Sequence, residues 1–350
     1  MKKAVNIIFI VFCAIIVFVP ILTFNWKPNQ ISAAENRQLA ELESPKNGLS
    51  YFMKSLDNYV NDRLGFRDQS VQLYRQLTIK QLNFKHKDVI VGNDGWLFYS
   101  EELPDYTGAN NTQETTDRYI AVLKQINCWC EERGIQFIFA VGPNKASIYS
   151  EYMPSYIKQA NTTLLDALME KTADEGILML CPKKELLEDK DNQELYMRLD
   201  THWNHLGAKY MITQLAETLN MDSYDIPVAS TYESTGDLKD MLNIGNTGAL
   251  SLMTDLPMAT ESTIEPIPDT KHQIVHSPNK ESFVCYRDSF SIALTSFYSY
   301  YFDGPMFWEF AIDFDYINSA RPKYLVLECV ERYIPQAIES NAAVLNWNLG

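Results

Sequence analysis

The chain has 350 residues, 46% hydrophobic and 12% aromatic, with a formal net charge of -15. That length supports one large core or two smaller ones. Acid predominates and basic residues cluster only at the extreme N-terminus, which excludes a nucleic-acid ligand, because a polyanion needs a basic footprint.

Met1-Lys2-Lys3 precedes an apolar run over residues 7–24 that is broken only by Pro20 and Thr23. With Ala4 and Val5 it reaches roughly 30 Å as a helix, enough to cross a bilayer. Lysines on its leading side alone predict a cytoplasmic N-terminus and an exported remainder. The alternative is a cleaved signal peptide processed near Ser32-Ala33-Ala34. That tripeptide lies well past the apolar end, and Asn25-Trp26-Lys27 reads as an interfacial anchor, so an uncleaved transmembrane anchor over residues 1–25 is the preferred reading.

Residues 25–47 read as an extended polar stalk, and two amphipathic stretches, 49–60 and 66–82, joined at Asp62-Arg63-Leu64-Gly65, predict a helical arm, so that stalk and arm together occupy residues 26–85. Residues 88–92, Asn93-Asp94-Gly95 and 96–99 predict a hairpin. From residue 112 short apolar runs alternate with helical patterns: helix 117–133, strand 135–141, helix 162–175, strand 177–180, helix 204–219. This rhythm predicts an α/β fold with a parallel sheet flanked by helices, whose ligands gather at the carboxyl ends of the strands. Periodicity fades over residues 221–280, read as an insertion with a short helix near 238–242. A strand at 283–286, a helix at 289–300 and a strand at 324–330 complete the domain, residues 86–350. Six cysteines at irregular spacing form no disulfide framework, and buried free thiols are expected.

Asp200-Thr201-His202 stands just before a helix start. A carboxylate two positions from an imidazole can bind its Nδ1–H and leave Nε2 as a base. Ser289, in Cys285-Tyr286-Arg287-Asp288-Ser289-Phe290, follows an apolar strand and is the candidate nucleophile; backbone N–H groups at the following helix start would face an oxyanion. The competing reading is that Asp288 and Ser289 merely cap a helix. Asn144, after Val141-Gly142-Pro143, is either an oxyanion donor or a turn asparagine. Lys145 could attract an acidic glycan or close a salt bridge, and Arg287 and Arg332 are expected in structural pairing. His202, His205 and Asp200 could in principle ligate a metal, but no further ligand stands at convincing spacing, so neither metal nor cofactor is expected. The aromatic residues of 296–302 read as core before they read as a sugar platform.

Asp200-Thr201-His202-Trp203-Asn204 with a downstream Arg287-Asp288-Ser289-Phe290 resembles the SGNH-hydrolase-like domain of the alginate O-acetyltransferases AlgX and AlgJ and of the related DHHW proteins. Glu35-Asn36-Arg37-Gln38-Leu39, Asp62-Arg63-Leu64-Gly65-Phe66-Arg67, Gly92-Asn93-Asp94-Gly95-Trp96-Leu97-Phe98-Tyr99 and Glu331-Arg332-Tyr333 fit the same pattern in order. Thr201 replaces the second residue of the family's Asp-His-His-Trp and leaves the acid–histidine pair intact. The resemblance implies an SGNH-like core with permuted chain order, and Ser289, His202 and Asp200 as a triad with Asn144 as oxyanion donor. It implies an extracytoplasmic O-acetyltransferase acting on an exported polysaccharide, with acetyl supplied by a membrane-bound O-acyltransferase. A carbohydrate acetyl esterase and a non-catalytic glycan-binding or assembly protein are the alternatives.

Overall fold

The computed structural model describes residues 9–11, 14, 18–27, 31–32, 37–42, 44–66, 86–226, 230–234, 236–242, 251–255, 257–268 and 270–348. Contacts divide the chain into two units, the first made of residues 1–84 and 242–247 and the second of 85–241 and 248–350.

In the first unit, helix Leu49–Arg63 ends in a buried arginine whose guanidinium meets Glu41 at 2.6 Å and the Lys27 carbonyl at 2.5 Å. The expected helix at 66–82 lies almost wholly outside the described residues, as does much of the expected anchor. Among the described residues no helix is long and apolar enough to cross a membrane.

The second unit is built on a seven-stranded sheet. Its strands are β1 (Gln136–Gly142), β2 (Met179–Leu180), β3 (Thr263–Pro266), β4 (Gln273–His276), β5 (Glu281–Tyr286), β6 (Phe302–Phe307) and β7 (Tyr324–Val330), in the order β2-β1-β7-β5-β6-β4-β3. The run from β2 to β6 is parallel; β4 joins β6, and β3 joins β4, antiparallel. The sheet is therefore mixed, and residues 221–280 extend it. They supply β4 and the edge strand β3, a ribbon of Ser230–Ser234 and Ser251–Asp255, and helix Asp237–Leu242.

Alternation sorts the central strands between two cores, as a sheet covered on both faces requires. Ile138, Ala140, Phe283, Cys285 and Val326 face one layer with Ala208, Met211 and Leu215 of α3 (His205–Thr218). Phe137, Phe139, Val284, Leu325 and Leu327 face the other, against α1 (Gln113–Glu131), α2 (Leu164–Asp174), α4 (Phe314–Ala320) and α5 (Ile334–Asn348). The helix expected at 289–300 is two short pieces, the 3-10 turn Phe290–Ile292 and Thr295–Tyr298. Phe297, Tyr298, Tyr301 and Phe302 are core, and Cys130, Cys181, Cys285 and Cys329 are buried free thiols while Cys128 is exposed.

Candidate active site

Two chain segments converge at the carboxyl end of the sheet. The first is the loop 197–203. Tyr196 bridges Trp203, and the Met197 N–H donates to the His202 carbonyl at 3.1 Å, so Asp200, Thr201 and His202 form the tip of a closed loop. Asn204 then caps α3, its side-chain Oδ1 accepting from the Gly207 N–H at 3.0 Å. The second segment is the end of β5, where Asp288 accepts from the N–H groups of Phe290 (2.7 Å) and Val330 (2.8 Å) and so ties this strand end to β7. Ser289 occupies the cap position of the following turn but makes no side-chain cap; Asp288 takes that part, leaving the serine hydroxyl for another partner.

That partner is His202. Ser289 Oγ lies 2.7 Å from His202 Nε2, and His202 Nδ1 lies 2.6 Å from Asp200 Oδ1. Beside a carboxylate Nδ1 must carry the ring proton, which leaves Nε2 to accept from the serine hydroxyl. Burial pushes Asp200 up, but the hydrogen bond and charge of His202, with the N–H groups of Asp237 and His202, outweigh it and hold the carboxyl at about 2. Phe290 packs its ring 5.2 Å from the imidazole and 5.1 Å from Trp203. Gly142, at the end of β1, makes that packing possible: a Cβ there would meet Phe290 at 2.8 Å.

Asp237 also belongs here, and the sequence reading missed it. Its N–H donates to Asp200 Oδ2 at 3.0 Å, and its carboxylate accepts from the Thr201 N–H at 2.8 Å and the Thr201 hydroxyl at 2.7 Å. The signal was Gly236-Asp237, a helix-start dipeptide inside a stretch without periodicity. Asp200, His202 and Asp237 offer ligand atoms within 4.8 Å of one another, close enough for a cation. Both carboxylates already accept hydrogen bonds, Asp200 from N–H donors and Asp237 from the Thr201 N–H and O–H, which is the wiring of a hydrogen-bond relay.

Below the loop, Lys145 is fully buried, closed to a glycan and, among the described residues, in no salt bridge. Its ammonium donates to the carbonyls of Met197 (3.1 Å), Arg198 (3.2 Å) and Asp200 (2.5 Å). Burial lowers it to about 8, against the pull of Glu102, Asp200 and Asp237. Asn144 is likewise buried: its amide donates to Asp105 at 2.9 Å, its Oδ1 accepts from the Arg332 N–H at 3.3 Å, and its own N–H meets Glu331 at 2.8 Å. It knits β1 to the end of β7. Arg287 binds the carbonyls of Asp288 and Lys271 and lies 4.5 Å over Trp308, while Arg332 lies 5.3 Å over Phe290; their expected pairing is with carbonyls and rings. His205 is the first residue of α3 and lines the cavity beside the serine.

A mixed α/β sheet with a serine, a histidine and an aspartate gathered at its carboxyl edge defines an SGNH-hydrolase-like domain. The profile of the family described as "SGNH hydrolase-like domain, acetyltransferase AlgX" matches residues 89–291, more than half of the chain. The chain belongs to that family. It is similar to the "Probable alginate O-acetylase AlgJ" of Pseudomonas aeruginosa, 29% identical over 151 residues, 43% of this chain and 38% of that protein. The AlgJ of Azotobacter vinelandii is 29% identical over 135 residues, 37% of this chain and 33% of the relative. The match thus spans less than half the length of these curated relatives. Among solved structures, PatB1 of Bacillus cereus superposes with a TM-score of 0.56 at 12% identity, over 71% of this chain and 97% of that one. A DHHW family protein from Eubacterium siraeum gives 0.51 at 15% identity, over 73% and 98%. At these identities the likeness is one of fold.

Proposed function

We propose that the chain is an extracytoplasmic, membrane-anchored O-acetyltransferase that moves acetyl onto a hydroxyl of an exported polysaccharide through a Ser289 acyl-enzyme. The observation that carries this reading is the unbroken relay from Ser289 Oγ to His202 Nε2 (2.7 Å) and from Nδ1 to Asp200 (2.6 Å). Ser289 Oγ attacks the acyl carbonyl as His202 takes its proton; the ester C–O bond breaks and the proton passes from Nε2 to the departing alcohol oxygen. The acceptor hydroxyl then repeats the sequence in reverse. Asp200, ionised throughout, holds the imidazole's tautomer and balances its charge when protonated.

The oxyanion donor we assign is the Ser289 N–H, which has no acceptor among the described residues, rather than the committed amide of Asn144. The apolar N-terminal run supports the anchor, and a membrane-bound O-acyltransferase is the proposed donor of acetyl. Relatives named as probable alginate O-acetylases support a polysaccharide acceptor. Hydrolysis runs through the same intermediate, so a carbohydrate acetyl esterase is the second reading. The full chain, incubated with a chromogenic acetyl ester with and without an oligosaccharide acceptor, separates them: acetylated acceptor supports transfer, and free acetate as sole product supports the esterase.

A further inference from the structure

We infer that Asp237 is a positioning residue for the reaction: acting through the Thr201 hydroxyl, it keeps the ring proton of His202 on Nδ1 and so leaves Nε2 free to serve Ser289. This rests on the acyl-enzyme reading above.

One hydroxyl proton decides the geometry. Thr201 Oγ1 lies 2.7 Å from Asp237 Oδ2 and 3.1 Å from His202 Nδ1. A carboxylate only accepts, so the hydroxyl proton points at Asp237 and a lone pair of the same oxygen is left for the imidazole. His202 Nδ1 therefore faces two oxygens, Asp200 Oδ1 at 2.6 Å and Thr201 Oγ1 at 3.1 Å, and neither offers it a proton. With the ring proton on Nδ1 both oxygens are satisfied. With it on Nε2, lone pairs would meet at Nδ1, and Ser289 would face a donor where it needs a base. Thr201 is buried, which shelters this hydroxyl from competing water.

Charge works in the same direction. Asp237 Oδ2 stands 3.9 Å from Nδ1. Once the Ser289 proton reaches Nε2 the ring is a cation, and a second carboxylate at that distance stabilises it more than it stabilises the neutral ring. Neither Thr201 nor Asp237 lines the cavity beside Ser289, so both act through the histidine and not on the substrate. An interaction that strengthens as the ring becomes charged is felt in kcat and leaves KM alone.

Two substitutions isolate the path. Asp237→Asn replaces one accepting oxygen by an NH2 donor and keeps the backbone N–H that binds Asp200 at 3.0 Å. If the remaining oxygen holds the Thr201 N–H, the NH2 donates to Oγ1 and the hydroxyl proton turns onto Nδ1–H, donor against donor. Thr201→Val removes the hydroxyl but keeps the backbone N–H that binds Asp237 at 2.8 Å, so the loop stays tied.

The test is steady-state kinetics of the full chain on 4-nitrophenyl acetate. Each substitution should lower kcat about 10- to 100-fold, the loss of a hydrogen bond to a charged group, with KM changed less than about twofold. Combined, they should lower kcat no more than about threefold beyond the worse of the two, because both cut one path. Thr201→Ser keeps the hydroxyl and should stay within about threefold of the unmodified chain. Should Thr201→Val not fold, Thr201→Ala removes the same hydroxyl. A kcat left unchanged by either substitution overturns the assignment; if Asp237→Asn alone is slow, Asp237 is a tie on the loop. Losses that multiply in the combined variant, an effect confined to KM, or Thr201→Ser as slow as Thr201→Val overturn it as well. In each of these cases the unmodified chain still turns over and acyl transfer stands. An unmodified chain that turns over no acetyl ester and leaves no acetyl on Ser289 overturns the function and the assignment together.

Discussion

Asp200 receives three hydrogen bonds, from the His202 ring, the His202 N–H and the Asp237 N–H, and sits at about 2 as a result. It stays ionised wherever the protein is folded and working. Asp200→Asn keeps the ring in place with the wrong tautomer and should lower kcat by about 10⁴-fold while leaving measurable turnover. Ser289→Ala and His202→Ala should remove turnover of the acetyl ester altogether. The serine, the histidine and the aspartate are all legible in the sequence as candidates, because acid-x-histidine before a helix and serine after a strand are local patterns. Asp237 is not, since nothing in residues 221–280 says which acid returns to the loop. Nor does the sequence disclose that Asn144 and Lys145 point inward; burial is a property of the assembled sheet.

At the scale of the element, the loop 197–203 is held from three sides: by its own bridge, by Lys145 beneath it, and by the start of helix Asp237–Leu242. Lys145→Met removes the donor shared by three carbonyls and lets Asp200 drift. A shift of about 1 Å is enough to lower kcat by up to 100-fold with KM little changed, which steady-state kinetics on the acetyl ester will show. Gly236, at φ +82°, lies so close to the loop that a Cβ would meet the Leu199 carbonyl at 2.3 Å. Gly236→Ala should therefore lower both kcat and Tm, whereas Glu170→Gln, at an exposed position on α2, should change neither. The long periodic elements, α1, β1 and β7, are legible because each keeps one period through its length. β6 is not: Phe302-Asp303-Gly304-Pro305-Met306-Phe307 carries Gly and Pro where a strand reading expects neither. Gly304 is tolerated there because the backbones approach closely, a Cβ meeting the Phe283 carbonyl at 2.0 Å.

For the molecule as a whole, buried acids set how stability follows pH. Burial raises Glu102, Glu328 and Glu331, and it lifts Asp105 to about 8 with help from the charge of Glu331. A folded-state pKa above the unfolded value means stability that is complete below pH ~4 and lost as pH climbs through the folded value. Asp200 acts in the opposite sense, its contribution being lost only as pH falls from ~4 toward 2. Tm should accordingly decline between pH 5 and 8, and Asp105→Asn should flatten that slope, which differential scanning calorimetry across this range will test. The N-terminal run belongs to the same scale: the full chain should sediment with membranes and resist extraction by high salt, while a chain starting at residue 30 should not.

The central claim is that Ser289 carries the acyl group. Intact-mass spectrometry of the full chain, quenched during turnover of an acetyl ester and mapped by peptide, tests it most directly. The account predicts one acetyl adduct on the peptide holding Ser289, absent from Ser289→Ala and discharged when an acceptor is added. An adduct on another residue, or undiminished turnover by Ser289→Ala, would contradict it.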